Sequence, residues 1–196
     1  MVQTMQPLHI PTDFVDQIQG KCHIALFYED PGYAKMIAFR FLKNGLLKGE
    51  DCLYVTSEDT GDIVVKMLDF GIPLRYFHTK QIRVIQIKER NGSKEDIISA
   101  CKVDISKIMS EVKNPFRIVS RIVSNVNTVD GISAELEMEH LVNDIFDDLN
   151  GSIMCPYDIS KIEPSGRKHW LDNLRETHHA VIYVPKSGHS EVLSSD

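Results

Sequence analysis

Short apolar runs alternate along this chain with segments whose apolar residues fall at helical spacing. The runs are HIALFY (23–28), DCLYVT (51–56), IRVIQI (82–87), RIVSRIV (117–123), SIMCPY (152–157) and AVIYV (180–184). Runs this short, bounded by turn residues, suit buried strands. Between the first two, Ile37, Phe41, Leu42 and Leu46 share one helical face before Gly49 stops the helix. Helices are likewise expected over 62–70, closed by Gly71-Ile72-Pro73, from Ser93 to Val112, stopped by Pro115, over 131–149 and around 170–175. Pro156 predicts an irregular fifth strand. Such alternation predicts an α/β three-layer sandwich around a mainly parallel sheet. Right-handed crossovers place the loops that follow the strands along one sheet edge, where open α/β sheets bind ligands.

The chain of 196 residues reads as one domain over 21–185, with an N-terminal arm (1–20) broken by Pro7 and Pro11 and a frayed tail (186–196). With 22 Lys+Arg against 28 Asp+Glu, the net charge is −6, which argues against direct nucleic-acid binding. The basic residues Lys161, Arg167, Lys168, His169 and Arg175 around Trp170 read as a solvated helix face. No apolar stretch is long enough to span a membrane, and the opening MVQTMQPLHIPTDF lacks the cationic start and apolar core of a secretory leader. Cys22, Cys52, Cys101 and Cys155 are far apart, as expected of reduced thiols in a cytoplasmic protein, and form no metal-ligand spacing. His23 reads as a hydrogen-bonded edge residue and His178-His179 as a helix terminus near Arg175. No metal is expected.

The segment after the first strand, Glu29-Asp30-Pro31-Gly32-Tyr33-Ala34-Lys35-Met36, stands where a phosphate-binding loop would stand. The working motif, G-x-x-x-x-G-K-[ST], uses glycines to bring backbone N–H groups to phosphate, Lys to reach the outer phosphates and a hydroxyl to hold Mg²⁺. Lys35 is in register, but Glu29 and Ala34 replace the glycines and Met36 the hydroxyl residue. Glu29 brings charge repulsion, Ala34 a methyl against the phosphate, and Met36 no ligand for a hard cation. Lys35 either meets an anionic ligand at the helix start or pairs with Glu29 or Asp30. After the second strand, Glu58 and Asp59 are ligand candidates, with Asp59 favoured as a helix cap. Tyr157 and Asp158 end the fifth strand as further candidates.

The run 23–59, HIALFYEDPGYAKMIAFRFLKNGLLKGEDCLYVTSED, resembles the RecA-like ATPases of the KaiC type. Together with SIMCPYDISKI (152–162) and LRETHHAVIY (174–183), it is more similar still to the MEDS family, the sensory domain of methanogens and the DcmR regulator. That resemblance, spanning 23–184, implies a RecA-like fold that has lost its catalytic motifs. It sets Glu58 and Asp59 where KaiC-type ATPases keep water-activating carboxylates, and Val119 where the metal-associated Asp would be.

The function expected is a non-catalytic sensory or signalling module, binding a small ligand or partner at the strand C-terminal edge. The residues proposed for that site are Glu29, Asp30, Gly32, Tyr33, Lys35, Glu58, Tyr157 and Asp158. No catalytic residue and no cofactor is expected, and output passes through a signalling or regulatory partner or through self-association. The rival reading is a divergent nucleotide hydrolase binding ATP or ADP through Lys35 and Glu58. A third is an oligomeric scaffold without a ligand.

Overall fold

The computed structural model describes residues 10–123, 126–162, 167–186 and 191–194. The elements run α1 (Pro11–Gln17), β1 (His23–Tyr28), α2 (Pro31–Leu47), β2 (Asp51–Thr56), α3 (Thr60–Asp69), α4 (Leu74–His78), β3 (Ile82–Gln86), α5 (Lys94–Glu111), β4 (Phe116–Val119), α6 (Val129–Phe146), β5 (Gly151–Asp158), α7 (Arg167–Thr177), β6 (Ala180–Val184) and β7 (Glu191–Ser194). They form one sheet in the order β3-β2-β4-β5-β1-β6-β7, parallel except where β7 runs antiparallel to β6.

The sheet is covered on both faces, which is why its inner strands are continuous apolar runs rather than alternating ones. In the β1–β5 register Ala25 sits beside Cys155 and Phe27 beside Tyr157. These residues face a core completed by α5, α6 and α7. Ile24, Leu26 and Met154 face the opposite core, closed by α1, α2 and α3. Helix starts are set by side-chain caps. Asp30, Asp59, Ser93 and Thr128 each accept a backbone N–H from the first turn of α2, α3, α5 and α6. The capping role favoured for Asp59 is therefore the one it has.

Several elements differ from the sequence reading. Pro11 within the arm opens a helix, as proline does at a first helical position. Val15 of that helix is fully buried, and Asn44 Nδ2 and Lys48 Nζ of the α2 segment hold the carbonyls of Val15 and Ile18. Residues 191–194, read as tail, pair with β6. The fourth strand ends at Val119 rather than Val123, and α4 follows Pro73 as an extra turn of helix. Pro156 does not interrupt β5. The Ile153 N–H points to β1, so by alternation position 156 faces the other side, where β4 has already ended and no donor is needed.

Candidate functional site

At the C-terminal edge of the sheet, the loops after β1, β2 and β5 converge on a cleft of about 280 Å³. Its walls include Tyr28, Lys35, Tyr54, Glu58, Asp158 and Lys161. Lys35 Nζ, one turn into α2, donates to Glu58 Oε2 at 2.7 Å; the partner is thus neither Glu29 nor Asp30. Glu58 is presented by its N–H bond to Thr56 Oγ1 at the end of β2, and Lys66 Nζ lies 3.9 Å from the same carboxylate oxygen. Asp158 accepts the backbone N–H and the hydroxyl of Ser160 and lies 3.6 Å from Lys161 Nζ. Burial, reinforced by Asp158 and Glu58 and opposed by Arg121, raises the Tyr28 phenol above its ordinary pKa. Burial and Glu58 do the same for Tyr54. Both phenols therefore stay protonated at neutral pH and can donate as well as accept hydrogen bonds.

The start of α2 is where a phosphate would bind, because helix N-termini present free N–H groups and a positive dipole end. Here Asp30 Oδ1 accepts the N–H of Gly32 at 2.9 Å and of Tyr33 at 3.1 Å. The chain's own carboxylate fills the role of the bound anion. Glu29 turns away from this point, its N–H on Val184 O and its carboxylate accepting the Lys186 N–H. Val119, at the end of β4, is fully buried among apolar residues. This edge thus offers a partly exposed, mixed-charge cleft, with Met36 and Val119 at the positions where the resemblance to KaiC-type ATPases would put a Mg²⁺-holding hydroxyl and carboxylate.

The structure brings Lys35, Glu58 and Asp158 together and sets Asp30, Gly32 and Tyr33 beside them as the helix cap. Tyr157 is a correction. Side chains alternate across a strand, so it points to the opposite face, 1% exposed, where its hydroxyl donates to Glu139. Ser124 and Asn125, in the loop expected to border the site, lie outside the described residues.

A second group of polar residues lies on that opposite face: His23, Glu135, Glu139, Cys155 and His178, all buried. His23 is not an edge residue, since β1 lies between β5 and β6. Burial raises the carboxyls of Glu135 and Glu139 above the usual range and lowers His23 to about 4. In sequence these residues carry no spacing signature. The available sign was a Glu at the inward stripe of α6, where an apolar residue is the rule.

Residues 22–179 match the family described as the methanogen/methylotroph, DcmR sensory domain, MEDS. No curated protein sequence matches the chain. Among solved structures, a KaiC-like protein from the hyperthermophilic archaeon Pyrococcus horikoshii OT3 aligns with a TM-score of 0.59 at 14% identity, over 91% of this chain and 80% of that one. A second Pyrococcus horikoshii OT3 protein gives 0.58 at 12% identity, over 95% and 93%. The flagellar accessory protein FlaH from Methanocaldococcus jannaschii gives 0.55 at 16% identity, over 87% and 75%. At these identities the likeness is one of fold, the RecA-like sandwich of KaiC-like proteins. With the family match covering most of its length, the chain belongs to the MEDS family of sensory domains.

Proposed function

We propose that this domain is a non-catalytic sensor whose ligand is a small polar molecule held in the cleft between Lys35, Glu58 and Asp158. The observation that carries this reading is the Asp30 carboxylate on the Gly32 and Tyr33 N–H groups. A nucleotide phosphate would have to displace it and then share the helix start with a negative charge. Lys35 is engaged as well, 2.7 Å from Glu58. A ligand that offers both a donor and an acceptor can exchange with this ion pair without leaving either charge unpaired. Because Lys35 is on α2 and Glu58 precedes α3, such an exchange biases both helices. It shifts a signalling equilibrium only by the ligand's different affinity for the two states. Output then passes to a regulatory partner or a second copy of the chain.

The rival reading, a divergent hydrolase using Lys35 and Glu58, is favoured by one fact, that these two residues meet. Thermal unfolding with ATP or ADP, with and without Mg²⁺, separates the two. Saturation at about 100 times Kd would stabilise the fold by about 2.7 kcal/mol. The sensor reading expects no Mg²⁺-dependent rise in Tm and no phosphate release. A rise that Lys35→Ala abolishes, accompanied by turnover that Glu58→Gln abolishes, would establish the hydrolase.

A further inference from the structure

Beneath α6 and α7, on the face away from the cleft, His23, Glu139, Cys155 and His178 each offer one potential ligand atom, all within 4.8 Å of one another. They come from β1, α6, β5 and the turn between α7 and β6. All four residues are buried, with His23 fully so.

The hydrogen bonds around this group fix which atoms face inward. A carbonyl oxygen can only accept, so His23 Nδ1, 3.0 Å from Thr177 O, carries the ring proton, as does His178 Nδ1, 2.7 Å from Leu174 O. Both Nε2 atoms therefore turn bare lone pairs toward the centre. Glu139 Oε1 accepts from the Tyr157 hydroxyl, leaving Oε2 inside the group. Neither Glu139 Oε2 nor His178 Nε2 makes a hydrogen bond among the described residues. A histidine whose second nitrogen donates to a carbonyl, and a carboxylate oriented by a hydroxyl, are the outer supports that metal ligands use.

The spacing agrees. His23 Nε2 and His178 Nε2 each lie 3.5 Å from Glu139 Oε2, and Cys155 Sγ lies 3.5 Å from His23 Nε2. Bonds of about 2.0–2.3 Å in a tetrahedron give ligand-to-ligand edges of roughly 3.3–3.6 Å. The charges agree as well, because one thiolate and one carboxylate neutralise a divalent ion, as burial requires. Glu139 and Cys155 also line, with Ser120, a small and mostly apolar cavity of about 60 Å³ whose wall includes the half-exposed Ile145.

We propose that His23, Glu139, Cys155 and His178 form a tetrahedral site for a divalent transition-metal ion of Zn²⁺ type. The ion ties β1, β5, α6 and the α7–β6 turn together at a place separate from the cleft. Cys155 binds as thiolate, releasing its proton to solvent. Two imidazoles with one thiolate and one carboxylate favour Zn²⁺ or Co²⁺ over Mg²⁺ or Ca²⁺, which take oxygen ligands.

The test uses the full chain without a histidine tag, under reducing conditions. The chain is stripped by chelator and titrated with Co²⁺, then with Zn²⁺. One Co²⁺ per chain is expected, with tetrahedral d–d bands and a thiolate-to-cobalt charge-transfer band that Zn²⁺ erases. Cys155→Ser removes the charge-transfer band, whereas Cys22→Ser keeps it. Tyr157→Phe, which removes the hydroxyl that orients Glu139 and leaves all four ligands in place, weakens binding by about 10–100-fold. If Cys155→Ser does not fold, the isosteric Glu139→Gln must alter the d–d bands of a folded protein. A folded wild-type chain that takes up no Co²⁺ at micromolar concentration overturns the proposal, as does a charge-transfer band that survives Cys155→Ser.

Discussion

Lys35 Nζ lies 2.7 Å from Glu58 Oε2, so the segments after β1 and β2 are joined by an ion pair at the wall of the cleft. Their side chains are 25% and 46% exposed, and a pair so wet contributes at most about 1 kcal/mol. Lys35→Ala is therefore expected to lower the free energy of unfolding in urea by less than about 1 kcal/mol. A larger loss would make Lys35 a support of the fold rather than a group held ready for a ligand.

The Asp30 cap gives a sharper prediction. Asp30→Ala frees the Gly32 and Tyr33 N–H groups, and loss of such a cap costs about 1 kcal/mol. For a domain of this size that lowers Tm by roughly 2–4 °C. The same change restores an anion site at the helix start. Sulfate should then raise the Tm of Asp30→Ala more than that of the wild type. An equal response in both would show that the carboxylate does not stand in for a bound anion.

The layered fold was legible because its signals are local. Short apolar runs mark β1 and β2, and the cap Asp59 stands in the sequence just before its helix, whereas Asp30, read as a ligand candidate, is a cap in the structure. Lys35 and Glu58 were legible as candidates for the same reason, each following a strand. Which acid Lys35 meets was not, since that depends on how β1 and β2 are arranged across a sheet whose order is not sequential. Tyr157 was misplaced by one step of strand alternation, which turns a side chain from one layer to the other. The group around His23 was invisible because its members lie on four elements with no fixed spacing. β7 and α1 were missed because segments with few apolar residues are ordered here by pairing and docking rather than by their own periodicity.

Glu50 and Arg117 form the most buried ion pair involving an arginine among the described residues, with Nε 2.6 Å from Oε2 and the Arg117 side chain 2% exposed. The guanidinium also donates to Phe41 O and lies over the Phe41 ring. Truncating one partner strands the other charge, which costs about 3–5 kcal/mol. Glu50→Ala should destabilise by that amount in chemical denaturation, while Glu50→Ala with Arg117→Met should recover much of the loss. Equal losses in the single and double variants would show that the pair is not the source.

Asp16 joins α1 to α2 by accepting from the Arg40 guanidinium and from Asn44. The Arg40 hydrogen bond, helped by Asn44 and opposed by slight burial, lowers its pKa from 3.8 to about 2. A carboxyl depressed in the folded state adds stability above its unfolded pKa, and that increment fades as pH falls from 3.8 through 2. Both side chains are more than one-third exposed, so the increment is below about 1 kcal/mol. Wild type and Asp16→Asn should differ by a constant amount at neutral pH and converge toward pH 2 in acid-unfolding curves. A gap that persists at the acid end would mean that Asp16 acts through packing instead of charge.

Gly45, inside α2, sets two opposing effects against each other. In an open helix, Gly→Ala stabilises by about 1 kcal/mol, because alanine restricts the unfolded chain. At this position a Cβ would meet Arg117 Cδ at 2.7 Å and Cγ at 3.0 Å. Arg117 cannot swing aside, since Glu50 and Phe41 O hold its guanidinium in the core. Relieving such overpacking costs typically about 1–3 kcal/mol, so the clash outweighs the helical gain. Gly45→Ala should therefore destabilise the wild type. In the Glu50→Ala, Arg117→Met background the flexible thioether can give way, and the same substitution should become neutral or stabilising. A double-mutant cycle in denaturant measures this coupling directly, and a loss of equal size in both backgrounds would remove Arg117 as its cause.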